Sequence, residues 1–326
     1  MTYIDIWSRG SNAEGLGHII RSSIIAKFLI KKGHKNVHQF IECDEDVKFK
    51  LKKYVSKTTF FSINENPNKF LKGGSVCVVD RFVYTRSVIK YLKKKYKKIV
   101  IFDELQKINY LEVFRKNDIV VRAQLISKNK KIKSDCKVLK GLSFFIINKK
   151  RKYSKKATKK KIDIIIMLGG GVGYFKYYNK IAHNIKSLSN KLGTVMFIMG
   201  HQSNIRQINK ISSLSSNFKV VGFVEDPIKL MLKSKIGIMS GGYSKYEAAY
   251  AKLPSLIMPV KKHQVDISKE FCKFGGGLLV SSNKDLLFKS KCVELLNNST
   301  LRKKLSKSSH KLIDGMAMER IYRYIT

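Results

Sequence analysis

The chain opens with a strand-like segment, a glycine-rich turn and a helix-like segment, in that order. Residues 3–7 alternate as a β-strand does, and residues 19–30 have the apolar spacing of a helix. The turn between them contains Gly10, Gly15 and Gly17, which allow the backbone to bend tightly and to approach a ligand closely. A helix that begins after such a turn offers unpaired N–H groups to an anion. This order predicts half of a nucleotide-binding unit.

One position departs from the dinucleotide-binding fingerprint. Gly15-Leu16-Gly17-His18 places a histidine where a helix would simply begin. Because the ordinary pKa of imidazole lies near neutrality, this side chain suits proton transfer at physiological pH. His18 is therefore a candidate general base, and the alternative is a histidine that only packs.

Strand-like and amphipathic helical runs alternate along the rest of the chain, which is typical of a parallel sheet covered by helices. In the first half, the predicted strands are 37–41, 76–80, 99–104 and 118–122, with a helix near 87–97. The same pattern restarts at the buried strand 162–168, which a run of glycines follows. It continues with strands 194–199, 219–224, 236–239 and 254–260 and helices 179–192, 227–234 and 245–250.

The length of 326 residues and the hydrophobic content of 44% suffice for two domains with a core each. The segment 149–161 is rich in lysine, has almost nothing to bury, and marks a boundary. We therefore predict two Rossmann-like, doubly wound α/β domains, 1–150 and 162–326, joined by a basic linker, 151–161. The cleft between them is the expected ligand site. The basic run is interpreted as a solvated connector, with a nuclear-targeting patch or a membrane contact as alternatives.

The formal net charge is +43, which raises the question of nucleic acid. The lysines are spread along nearly the whole chain and are not interleaved with aromatic residues, so we interpret the charge mainly as compositional and disfavour nucleic-acid binding. A basic face for anionic lipid stays open.

No apolar run is long enough for a membrane span, and Asp5 and Arg9 come too early for a signal peptide. The five scattered cysteines argue against a disulfide framework and a structural zinc site. We expect a cytoplasmic monomer without cofactor or metal, with peripheral contact at the inner membrane face as an alternative.

A second glycine turn, Ser240-Gly241-Gly242-Tyr243-Ser244, precedes a predicted helix and is the strongest candidate for binding a diphosphate. Glu247, one turn into that helix, suits ribose hydroxyls. The alternative is a tight turn with a surface glutamate. Gly169 and Gly170 form a weaker candidate, because glycines often follow strands.

Several segments together resemble the UDP-sugar hydrolase family of pseudaminic acid biosynthesis. The related spore-coat polysaccharide proteins share the pattern, and both are similar to the GT-B glycosyltransferase that makes lipid II. The resemblance covers nearly the full chain. The segments that carry it are Gly15-Leu16-Gly17-His18-Ile19-Ile20-Arg21, Asp80, Phe102-Asp103-Glu104, Met167-Leu168-Gly169-Gly170 and Ser240-Gly241-Gly242-Tyr243-Ser244-Lys245-Tyr246-Glu247-Ala248-Ala249.

The resemblance implies a GT-B fold, with the nucleotide on the C-terminal domain and the sugar facing the N-terminal one. It implies that His18 activates a water molecule that cleaves the anomeric bond of a UDP-activated deoxy amino sugar. Free sugar would then enter nonulosonic acid or surface polysaccharide synthesis. Helix N–H groups near Gly241 and Gly242 would meet the charge of UDP, and Gln264 would lie near the sugar-nucleotide. Transfer of the sugar to an acceptor at the inner membrane face is the alternative, and a non-catalytic binding protein is a second one.

Other candidates keep two interpretations each. Arg9 and Arg21 bind substrate or pair with Glu14, and Asp80 positions the sugar or caps a helix. Asp103 with Glu104 has the same two interpretations as Asp80. The family has an aromatic residue or histidine where Arg81 stands here, and this departure, near the sugar, leaves the identity of the sugar open.

Overall fold

The computed structural model describes residues 2–11, 14–51, 57–104, 106, 108, 111–125, 134–148, 160–169, 173–200, 203–281 and 285–325. The chain divides into two compact units. Unit 1 comprises Met1–Asn148 together with Gly315–Thr326, and unit 2 comprises Lys149–Asp314. Each unit is built on one parallel β-sheet.

Unit 1 has a seven-stranded sheet whose neighbouring strands all pair in parallel. Its strands are β1 (Ile4–Gly10), β2 (Val37–Cys43), β3 (Thr58–Phe61), β4 (Gly74–Asp80), β5 (Tyr96–Phe102), β6 (Ile119–Arg122) and β7 (Lys137–Lys140), in the spatial order β3-β2-β1-β4-β5-β6-β7. The helices that follow β1, β2 and β4 are α1 (Gly17–Lys31), α2 (Glu45–Leu51) and α3 (Arg86–Lys95).

The central strands of unit 1 are apolar on both faces because the sheet is covered on both sides. Val76, Val78 and Val79 of β4 are buried, and so is the run of apolar residues in β5. The helix α1 buries Ile19 and Leu29, so its N-terminal turn is fixed above the carboxyl ends of the strands.

Unit 2 has a six-stranded sheet in the order β10-β9-β8-β11-β12-β13, also parallel throughout. Its strands are β8 (Ile162–Met167), β9 (Val195–Ile198), β10 (Phe218–Val221), β11 (Ser234–Ser240), β12 (Ser255–Met258) and β13 (Leu278–Leu279). Its helices are α4 (Phe175–Lys186), α5 (Ile205–Ser212), α6 (Pro227–Met231), α7 (Ser244–Tyr250), α8 (Gln264–Lys273), α9 (Asp285–Asn297) and α10 (Ser299–Leu312). The prediction of two doubly wound α/β domains is confirmed.

The last helix, α11 (Ala317–Ile325), belongs to unit 1. It buries one apolar face, and Arg320 Nη1 donates to the Ser143 carbonyl oxygen at 2.9 Å. The ring of Tyr322 meets Phe28 of α1 edge to face. The expected C-terminal domain, 162–326, is therefore wrong for its last residues, because the apolar face of α11 is covered by unit 1.

Of the expected linker 151–161, residues 151–159 lie outside the described residues. Lys161 already pairs with unit 2, since its N–H donates to the Lys233 carbonyl oxygen at 2.9 Å. Among the described residues, no helix is long and apolar enough to cross a membrane.

Most predicted strands occur at the expected places with shifted ends. The helix expected near 87–97 stops at Lys95, because Tyr96 is the first residue of β5. The Tyr96 hydroxyl donates a hydrogen bond to Asp5 Oδ2 at 2.5 Å. The helix expected at 179–192 begins earlier, at Phe175, and ends at Lys186.

Candidate active site

The order of strands in unit 1 gathers polar side chains at one edge of the sheet. Strand β1 lies between β2 and β4, and β5 is next to β4. In this register Ser8 is opposite Asp80, and Arg9 is opposite Glu42. Glu104 follows β5 two residues after its end. The carboxyl ends of parallel strands are where ligands bind in open α/β sheets.

His18 is the second residue of α1 and is held by Asp80 at the end of β4. Its Nδ1 lies 2.7 Å from Asp80 Oδ1, and only 9% of the residue is exposed. Arg21 Nη2, which can only donate, also lies 3.1 Å from Nδ1. Because a carboxylate oxygen only accepts hydrogen bonds, we assign the proton to Nδ1 on the shorter of the two contacts, the one to Asp80. Nε2 is consequently the basic nitrogen of the ring, and it is free of the bond to Asp80.

Arg21 lies one helical turn after His18, on the same face of α1. Its Nε donates to Asp80 Oδ2 at 2.5 Å, its Nη2 donates to Asp80 Oδ1, and its Nη1 donates to Glu104 Oε1. Burial alone would raise the pKa of Asp80, but the charges of Arg21 and His18 lower it below the ordinary value. Asp80 therefore stays ionised as an acceptor for the histidine.

Two of the alternatives for these residues are wrong. Arg21 pairs with Asp80 and Glu104, so its alternative pairing with Glu14 is wrong. The same alternative is confirmed for Arg9, whose Nε lies 3.3 Å from Glu14 Oε1. Asp80 does not cap α3, because Thr85 does so by accepting a hydrogen bond from the Val88 N–H. Asp103 pairs with Arg122 of β6 at 2.8 Å.

At the same edge of the sheet lies what we call the arginine–glutamate cluster, formed by Arg9, Glu14, Glu42 and Arg81. Glu42 Oε1 accepts from Arg9 Nη1 at 3.1 Å and from Arg81 Nη2 at 3.2 Å. The Arg81 guanidinium carbon lies 4.2 Å from the centroid of the Trp7 ring. Burial raises the pKa of Glu42, and the two arginines offset this only in part. Sequence reasoning missed Glu42, although it is the acidic residue that directly follows the predicted strand 37–41.

In unit 2, Gly169 and the second glycine turn follow neighbouring strands, so both lie at the same end of the sheet. Gly169 follows β8, and the turn Ser240-Gly241-Gly242-Tyr243-Ser244 follows β11, which pairs with β8. Ser244 Oγ donates to the Met167 carbonyl oxygen at 3.0 Å, and the Gly242 N–H donates to Ser240 Oγ at 3.2 Å. Gly170 lies outside the described residues. Tyr243 precedes α7 and accepts the N–H of Tyr246 on its carbonyl oxygen.

Gly241 is required by close packing against α8. A Cβ at this position would lie 2.3 Å from Ser268 Oγ and 2.7 Å from Gln264 Cβ. Gln264 is buried, and its Oε1 accepts from the Val260 N–H at 3.0 Å. The predicted neighbours Gly241 and Gln264 are thus brought together. Gly17 differs, since a Cβ there would meet nothing within 4 Å.

Lys245 is a residue of this site that sequence reasoning missed. It is fully buried in α7, and its Nζ donates to the carbonyl oxygens of Gly241 and Gly242, the latter at 3.2 Å. Its ammonium also lies 4.0 Å from the centroid of the Tyr246 ring. A positive charge is therefore fixed beneath the second glycine turn. In a chain with 66 lysines and arginines, nothing in the sequence distinguishes this lysine from the others.

Glu247 is buried, with 7% of the residue exposed, so its interpretation as a surface glutamate is wrong. Burial, assisted by the charge of Asp226, raises its pKa to about 7. A carboxyl group near its pKa at neutral pH can change charge when a polar ligand arrives. Within the described ranges, no group of three or more His, Cys, Asp or Glu side chains is arranged to hold a metal ion.

Comparisons with known proteins identify the fold. No protein-family model matches the sequence. The chain is 22% identical to the spore coat polysaccharide biosynthesis protein SpsG of Bacillus subtilis, over 98% of this chain and 96% of that protein. Acinetobacter baumannii MurG superposes with a TM-score of 0.62 at 16% identity, covering 98% of each chain.

Anabaena HepE, solved in complex with UDP and glucose, superposes with a TM-score of 0.64 at 11% identity, covering 99% of this chain and 98% of that one. These similarities show that the chain has the GT-B fold, two parallel-sheet α/β domains of the Rossmann type.

Proposed function

We propose that this protein hydrolyses a UDP-activated deoxy amino sugar and releases UDP and the free sugar. The observation that carries the proposal is the pair of His18 and Asp80. Asp80 fixes the protonated Nδ1 and leaves Nε2 as the base. This is the arrangement by which a carboxylate orients a catalytic imidazole and stabilises its protonated form.

The proposed reaction proceeds in one displacement at the anomeric carbon. His18 Nε2 takes a proton from water while the water oxygen forms a bond to that carbon. The bond from the carbon to the β-phosphate oxygen breaks, and UDP leaves with the electron pair. The configuration inverts, and the imidazolium charge is balanced by Asp80. A positioned general base of this kind contributes roughly a hundredfold to ten-thousandfold in rate.

Unit 2 is assigned the nucleotide. The diphosphate is placed at Ser240–Ser244, where buried Lys245 supplies a positive charge beneath the turn. Glu247 is assigned to the ribose hydroxyls, and Gly169, Gly170 and Gln264 to the same nucleotide site. HepE, which has the same fold, was solved with UDP and glucose, and this supports a sugar nucleotide as the substrate.

Unit 1 is assigned the sugar and the catalysis, through His18, Gly17, Arg9 and Asp80. Arg21 is given a positioning role, because its guanidinium is bound to Asp80 and Glu104. The name of SpsG, the spore coat polysaccharide biosynthesis protein, supports a product used in surface polysaccharide synthesis. Nonulosonic acid synthesis is the other proposed use of the free sugar.

Transfer of the sugar to an acceptor is the second candidate function. The net charge of +43 favours it, because a positive surface is attracted to anionic lipid at the inner face of a membrane. In that reaction an acceptor hydroxyl takes the place of water at His18.

The test is UDP release from UDP-2,4-diacetamido-trideoxyhexose in ¹⁸O-labelled water, followed by mass spectrometry of the sugar. Hydrolysis places one ¹⁸O at the anomeric carbon without any acceptor, whereas transfer requires an acceptor and leaves the label in water. His18→Ala is expected to lose at least a hundredfold in turnover. His34→Ala, which alters a histidine that pairs with Tyr322 in the same unit, serves as the matched control. Unchanged turnover in His18→Ala would refute the proposed base.

A further inference from the structure

The arginine–glutamate cluster has unused hydrogen-bonding capacity. Arg81 Nε and Glu14 Oε2 are buried and have no hydrogen-bond partner. Arg9 Nε and Glu42 Oε2 differ, because they have ion-pair partners at 3.3 and 3.0 Å, and Glu42 also has a side-chain hydrogen bond with Trp7. Buried polar atoms in folded proteins are nearly always hydrogen-bonded, so one donor and one acceptor left over in one cluster indicate a site for a polar ligand.

The position of the cluster links it to the proposed reaction. Arg81 directly follows Asp80, the residue that holds His18, and Arg9 lies on the neighbouring strand β1. The guanidinium of Arg81 is held flat against Trp7, which fixes its direction. A sugar whose anomeric carbon is near His18 Nε2 would therefore extend its ring substituents toward this cluster.

Part of the cluster can turn toward a ligand at low cost. The side chains of Arg9 and Glu14 are 29% and 22% exposed, so they already reach the surface. Their ion pair is a partly exposed one, and such pairs contribute little to stability. Replacing the ion pair of Arg9 and Glu14 by hydrogen bonds to a sugar therefore costs little stability.

The charges of the cluster decide which ligand fits. Two arginines are balanced by two glutamates, and Glu42 is buried between both guanidinium groups. The two arginines already have two carboxylate partners, so a ligand carboxylate would add an unbalanced negative charge near the buried Glu42, which is unfavourable. A neutral group that both donates and accepts, such as an amide or a hydroxyl, matches the unused N–H of Arg81 and the unused carboxylate oxygen of Glu14.

We propose that Arg9, Glu14, Glu42 and Arg81 form the sugar-recognition subsite of this protein, and that it selects neutral acylamino or hydroxyl substituents over a carboxylate. This inference rests on the proposed function, since it assumes that a UDP-sugar is the ligand. It assigns Arg81, Glu42 and Glu14 to specificity and leaves the base and the nucleotide site unchanged.

The experiment measures dissociation constants by calorimetry for UDP, UDP-N-acetylglucosamine and UDP-glucuronate. The full chain carries His18→Ala, so that the sugars are not turned over. This His18→Ala chain, the background protein for the variants, is expected to bind UDP-N-acetylglucosamine (the acetamido sugar) at least tenfold more tightly than UDP-glucuronate (the uronate). Glu42→Gln keeps the size of the side chain but leaves one arginine charge unbalanced, so this preference should fall tenfold or more. Arg81→Gln should weaken the binding of UDP-N-acetylglucosamine at least tenfold and leave the affinity for UDP unchanged.

Matched controls are Glu112→Gln and Arg86→Gln, which break an exposed ion pair in the same unit. They should change neither preference nor affinity. Because the preference is a ratio measured on one preparation, a partly unfolded variant still reports it. The subsite alone is overturned if the protein binds UDP but binds the two UDP-sugars with equal affinity. It is also overturned if Glu42→Gln leaves the ratio of their two dissociation constants unchanged. Absence of UDP binding in the background protein and in the wild type overturns the proposed function, and the subsite with it.

Discussion

His18 and Arg21, one turn apart on α1, both bind Oδ1 of Asp80. The imidazole and the guanidinium therefore depend on the same carboxylate oxygen. Arg21 keeps that oxygen negative, and the negative oxygen keeps the histidine proton on Nδ1. The orientation and the tautomer of the proposed base are thus set by three residues on two elements, α1 and β4.

Asp80→Asn is expected to reduce turnover roughly a thousandfold to ten-thousandfold, because an amide no longer stabilises the imidazolium and can favour the wrong tautomer. Turnover is measured as UDP release, with circular dichroism to confirm that the variant is folded. Asp163→Asn, which removes a partly exposed carboxylate that pairs with Lys235 in unit 2, is the control. A loss of less than tenfold in Asp80→Asn would mean that Asp80 does not orient the base.

Arg21→Met is expected to lower the free energy of unfolding by about 3–5 kcal/mol, since it leaves the buried charge of Asp80 without its main partner. Urea denaturation measures the effect. Arg86→Met removes an arginine from an exposed pair with Glu112 and should cost less than about 1 kcal/mol. Equal costs for the two variants would contradict the positioning role of Arg21.

Gly17→Ala and Gly241→Ala should separate a glycine kept open for a ligand from one required by packing. A Cβ at Gly17 meets no atom within 4 Å, so stability should be unchanged or raised by up to ~1 kcal/mol, while turnover falls if the sugar occupies that space. A Cβ at Gly241 overlaps Ser268 and Gln264, so this variant should lose stability as well. Thermal unfolding and UDP release are measured on both. Full activity in Gly17→Ala would remove Gly17 from the proposed site.

Glu247→Gln should stabilise the protein at high pH only. Because burial raises the pKa of Glu247 from 4.5 to about 7, its contribution to stability is complete below pH 4.5 and is lost as the pH rises to about 7. The variant lacks this loss, so above pH 7 it should be more stable than the wild type by on the order of 3 kcal/mol. Denaturant unfolding at pH 5 and pH 8 measures the difference. A difference that does not grow with pH would show that the folded pKa of Glu247 is ordinary.

Much of the fold could be predicted from the sequence, because buried parallel strands are apolar runs and the turns after them carry glycine. His18 could be predicted as a functional residue, because it stands in a glycine turn where the dinucleotide-binding fingerprint has no histidine. The pairing of His18 with Asp80 could not be derived, because the order of strands in the sheet decides which strand ends become neighbours, and local sequence does not encode that order.

Residues without a local pattern were missed for a related reason. Glu42 becomes important only because β2 lies next to β1, and Lys245 only because α7 turns its side chain inward. The predicted domain 162–326 includes residues 317–325 because position along the chain does not reveal that the apolar face of this last helix is covered by unit 1.

The position of α11 has a consequence for how the protein is made. The segment Leu142–Phe144 of unit 1 leaves the ribosome long before the helix that packs beside it, because all of Lys149–Asp314 is synthesised in between. At typical elongation rates this takes roughly ten to thirty seconds. During that interval the apolar surface of unit 1 that α11 later covers is open to water and to other nascent chains. Chaperone dependence of this protein should therefore be greatest while the second unit is being translated.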